Sequence, residues 1–174
     1  MSGSDVFSWI SPLGGAVALL MCCSGVYALI AIAGLVVTHR YGVGRVPASP
    51  SIFLSADIEE SMLGQATADL MADAPGLARI LGLMMDAFLG MMLGFALLLG
   101  SITWFGLMDG QAWALWAAVL GNAVMLAIYW GVAITPFLHE AEVAYLRLWH
   151  PYALVPSILV PVAAVLGWIG LIQA

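Results

Sequence analysis

A single carboxylate, Asp86, stands in the run LARILGLMMDAFLGMMLGFALLLG (residues 77–100), which is otherwise suited to hydrocarbon. A charge at bilayer depth costs about 2.5 to 3.5 kcal/mol on insertion scales, so such a residue is a candidate for moving protons or ions. The same residue has a structural reading. Steps of four from Gly82 reach Asp86, Gly90 and Gly94, and GMMLG forms a GxxxG pair. Small-residue rows of this kind let helices approach closely, and polar groups on them bond across the contact. On this reading Asp86 faces protein, with Arg79 two turns away as a snorkelling cation and Asn122 as a second candidate partner.

The three histidines supply two other chemistries. His39 and His139 could clamp a haem iron between helices, with Arg40 pairing a propionate, which makes haem b the alternative to an expectation of no cofactor. In LHEAEVAYLRLWH, His139, Glu142 and His150 have the residue types of a transition-metal site, although a second carboxylate–histidine pair is missing from the sequence. Cys22 and Cys23 are adjacent within an apolar run and read as packing groups. No P-loop, nucleophile elbow or zinc-protease pattern occurs, so the chain is not expected to be an enzyme.

The elements that must position these groups are membrane helices. Of 174 residues, 64% are hydrophobic and 8% charged, against about 25% charged in soluble domains. Ten acidic residues face four arginines and no lysine, which excludes nucleic acid as a partner. Runs of about 20 apolar residues, enough to cross a bilayer, occur at 13–37, 80–107, 113–137 and 153–172. The fold expected is an all-α integral membrane bundle of four helices, one membrane domain over residues 1–174. The second and third spans are joined by the short MDGQ turn and must form an antiparallel hairpin. Pro156 and Pro161 are expected to kink the last span.

Charge placement orients this arrangement. Arg40, Arg45 and Arg79 lie between the first two spans and Arg147 lies between the last two, so every arginine falls on one side. The positive-inside rule makes that side cytoplasmic and both termini periplasmic, as in a bacterial inner membrane. Trp9, Trp104, Trp113 and Trp168 then mark one interface, while Tyr41, Tyr145, Trp149 and Tyr152 mark the other. Between spans one and two, residues 55–74 read as a cytoplasmic amphipathic helix with a capping-box start at Asp57 and Glu60 and a Pro75-Gly76 stop. Its acidic side (Asp57, Glu59, Glu60, Asp69, Asp73) fits a basic partner surface as well as plain solvent.

Glycine rows, few ionisable groups and short loops favour packing over chemistry. The function expected is therefore a small accessory or assembly subunit of a larger respiratory, photosynthetic or transport complex. It would meet other membrane subunits through its small-residue rows, within the lipid bilayer. A haem-bearing electron-transfer anchor and a small proton or ion transporter component built on Asp86 are the alternatives.

Overall fold

A computed structural model describes residues 7–41, 60, 64–135 and 151–173, and those residues are helical with no strand. The elements are α1 (Pro12–Tyr41), α2 (Thr67–Asp73), α3 (Pro75–Ser101), α4 (Ala112–Ala127) and α5 (Pro151–Gln173). A π-helical turn, Ile102–Leu107, extends α3, and another, Ile128–Ile134, extends α4. Four helices are long and apolar enough to cross a membrane: Pro12–Tyr41, Pro75–Leu107, Ala112–Val132 and Ala153–Gln173. The chain is thus an all-α multi-pass membrane bundle.

Local chemistry sets the helix ends. Ser11 caps α1: its Oγ accepts from the Gly14 backbone N–H at 3.1 Å, and Pro12 follows where a missing N–H costs nothing. The hairpin closes at Met108–Gly110, with Gly110 at φ +72°, a left-handed conformation that glycine adopts without steric penalty. Its N–H bonds the Leu107 carbonyl at 3.0 Å.

Two boundaries depart from the sequence expectation. The helix that holds the second span starts at Pro75, ahead of residue 80, because Pro75 occupies the first turn of α3 and opens that helix as well as ending the one before it. The expected 55–74 helix is not continuous. Gly64, at φ +72°, accepts a helix end by bonding its N–H to the Glu60 carbonyl at 2.9 Å, and α2 begins afresh after an extended Ala66. Asp57, Glu59 and the remainder of that segment lie outside the described residues, as do positions 136 and 137 of the third span. Pro156 and Pro161 are both accommodated inside α5.

α1 is the hub, packed against α3 on one side and α5 on the other, while α4 packs on α5 and on the π turn that ends the second span. All of these neighbours run antiparallel. Gly170, near the end of α5, lies against Leu13 at the start of α1, and Ser24 of α1 lies against Gly100 of α3. The core strip of α1 is Ala16, Val17, Leu20, Cys23, Tyr27 and Ala31, and it meets Leu89, Met92, Ala96 and Leu99 of α3. The start of α1, the end of α5 and the 108–110 turn therefore share one end of the bundle, the hairpin end. His39, Arg40 and Arg79 mark the other, the arginine end. Trp9, Trp104, Trp113 and Trp168, all exposed, ring the hairpin end as an interfacial belt would.

Candidate functional site

Asp86 meets α1, and its partner is His39. The imidazole Nε2 stands 3.3 Å from Oδ1, with side-chain exposures of 69% for His39 and 39% for Asp86. Oδ1 itself is closed off and accepts no aligned hydrogen bond. Arg79 is exposed and Asn122 is elsewhere, so neither of the expected partners reaches the carboxylate. His39 lies in the last turn of α1, where the helix dipole favours a basic group.

This pairing answers why an acid is tolerated in the second span. Eighteen residues separate Asp86 from the interfacial Trp104, about 27 Å of helix, against a hydrocarbon core of about 30 Å. Asp86 is therefore level with the polar end of α1 and with the edge of the hydrocarbon. The 33 residues from Pro75 to Leu107 span about 50 Å, so the first turns of α3 stand outside the apolar layer. Arg79 belongs to those turns.

The deeper polar pair is one that sequence reasoning missed. Tyr27 of α1 donates its hydroxyl to Asn122 Oδ1 of α4 at 2.9 Å, and Asn122 Nδ2 donates to the Ala118 carbonyl at 2.8 Å. Both side chains are fully buried, and the Tyr27 ring takes the edge of Phe95 at 5.5 Å. One turn along α1, Ser24 Oγ donates to the Ala96 carbonyl at 2.8 Å. Trp130 likewise donates to Ser157 Oγ at 3.0 Å and fastens the wide turn after α4 to α5. The signal was present, because a buried tyrosine or tryptophan needs an acceptor for its polar hydrogen. Tyr27 was the only tyrosine within the first apolar run.

The glycine row does not line the bundle interior. Successive steps of four overshoot a full turn by about 40° at 3.6 residues per turn, so the row winds by about 120° from Gly82 to Gly94. The buried face of α3 is instead Leu89, Met92, Ala96 and Leu99. Gly82 and Asp86 lie on its flank, whereas Gly90 and Gly94 point outward with no atom within 4 Å of an added Cβ. Small and polar residues do line the interior elsewhere: Ala114, Ala118 and Asn122 of α4 are buried, as are Ala163 and Gly167 of α5.

His139, Glu142 and His150, which carried the metal expectation and half of the haem expectation, lie outside the described residues. Among those described, no three His, Cys, Asp or Glu side chains come together. Arg40 lies over the Tyr41 ring at 5.6 Å. Scans against protein-family models, curated proteins and solved structures found no match to this chain.

Proposed function

We propose that this chain is a small packing subunit of a larger membrane complex, held in a bacterial inner membrane with its arginine end in the cytoplasm and both termini in the periplasm. The observation that carries the reading is the outward turn of Gly90 and Gly94, which leaves a shallow strip on α3 that the described helices do not cover. Close helix approach across such glycines is a main source of association in membranes, where the hydrophobic effect gives none. Three of the internal polar groups fasten helices to one another: Tyr27, Ser24 and Trp130 each donate to a partner on a neighbouring helix.

Proton or ion passage through Asp86 draws on the enclosed, unbonded Oδ1. The next polar pair on α1 is Tyr27–Asn122, twelve residues and about 18 Å from His39. The buried positions between are Ala31 and Gly34 on α1 and Leu89 and Met92 on α3, none of which relays a proton.

A tagged chain expressed in its own membranes and solubilised in mild detergent should migrate on a native gel well above its 18.3 kDa mass. Gly90→Leu with Gly94→Leu should return it to the mass of the isolated chain. Migration as an isolated chain before substitution, together with proton or cation flux in proteoliposomes that Asp86→Asn abolishes, would replace this reading by the transport one.

A further inference from the structure

We draw no further inference here: the strongest candidate, the open cavity at the hairpin end that Ser8, Ser11, Asp109 and Gln173 line between the start of α1, the 108–110 turn and the end of α5, carries nothing because residues 1–6, which lead into it, lie outside the described residues and nothing in the structure shows what covers it.

Discussion

Glycine has opposite consequences near the end of α5 and in the middle of α3. On α5 it brings helices together: a Cβ on Gly170 would stand 2.5 Å from the Leu13 backbone nitrogen, and one on Gly167 would stand 2.6 Å from Leu115 Cδ1. On α3, Gly90 and Gly94 have open space where the Cβ would be. The residue type is the same, and what differs is its angular position relative to the core stripe. Spacing by four brings residues onto one side of a helix without fixing whether that side faces a neighbour in the same chain.

Gly170→Ala should therefore be the more damaging of the two α5 substitutions. The added methyl meets backbone, which cannot rotate away, and overpacking of this kind costs about 1 to 3 kcal/mol. Gly167→Ala meets the end of a flexible leucine side chain and should cost less, about 1 kcal/mol. Unfolding in mixed micelles with increasing SDS would rank the two; equal stability of Gly170→Ala and wild type would contradict the close α1–α5 contact. Between these two in size should be Tyr27→Phe, which leaves Asn122 Oδ1 without its donor in the apolar interior. Interhelical hydrogen bonds in membranes are worth about 0.6 kcal/mol on average and up to about 1.7. Full burial places this one toward the upper figure, and the same SDS titration measures it.

The number of spans, the hairpin and the meeting of the start of α1 with the end of α5 were legible because they follow from run length and turn chemistry, both properties of contiguous sequence. The partner of Asp86 was not. Choosing among His39, Arg79 and Asn122 needs the register of α1 against α3, which is set where Ser24 meets Ala96 and Gly100, contacts remote in sequence. The continuous reading of residues 55–74 failed for a more local reason. Gly64 at φ +72° ends a helix turn, and an apolar spacing counted through it does not register the break. The angular drift of the glycine row was computable from the sequence alone, but deciding which 120° of α3 is buried required knowing where α1 lies.

Asp86→Asn comes lower on the scale. With exposures of 39% and 69% the His39–Asp86 pair is screened on its open sides, and exposed ion pairs contribute about 0 to 1 kcal/mol. The amide keeps nearly the same volume and a hydrogen-bonding group beside the imidazole. The SDS unfolding midpoint should shift by less than it does for Tyr27→Phe. A larger shift would place the main clamp between helices at the arginine end instead of at the buried Tyr27–Asn122 pair.

The smallest effect on the isolated chain should come from the largest side-chain change, Gly90→Leu. Nothing within 4 Å opposes a Cβ there, and the leucine would extend into the surrounding apolar phase, where it resembles the lipid it displaces. Replacing glycine inside a helix by a better helix former is worth up to about 1 kcal/mol, so the monomer should unfold at the same point or slightly later. If α3 docks on another subunit as proposed, the same leucine would hold that helix away from the strip, so the complex should be lost while the chain stays folded. That divergence separates the two glycine environments: Gly170→Ala damages the chain before it can assemble, and Gly90→Leu damages only what the chain assembles with. A destabilised monomer in Gly90→Leu would mean that α3 packs its glycine face inward, and the contrast between the two helices would fail.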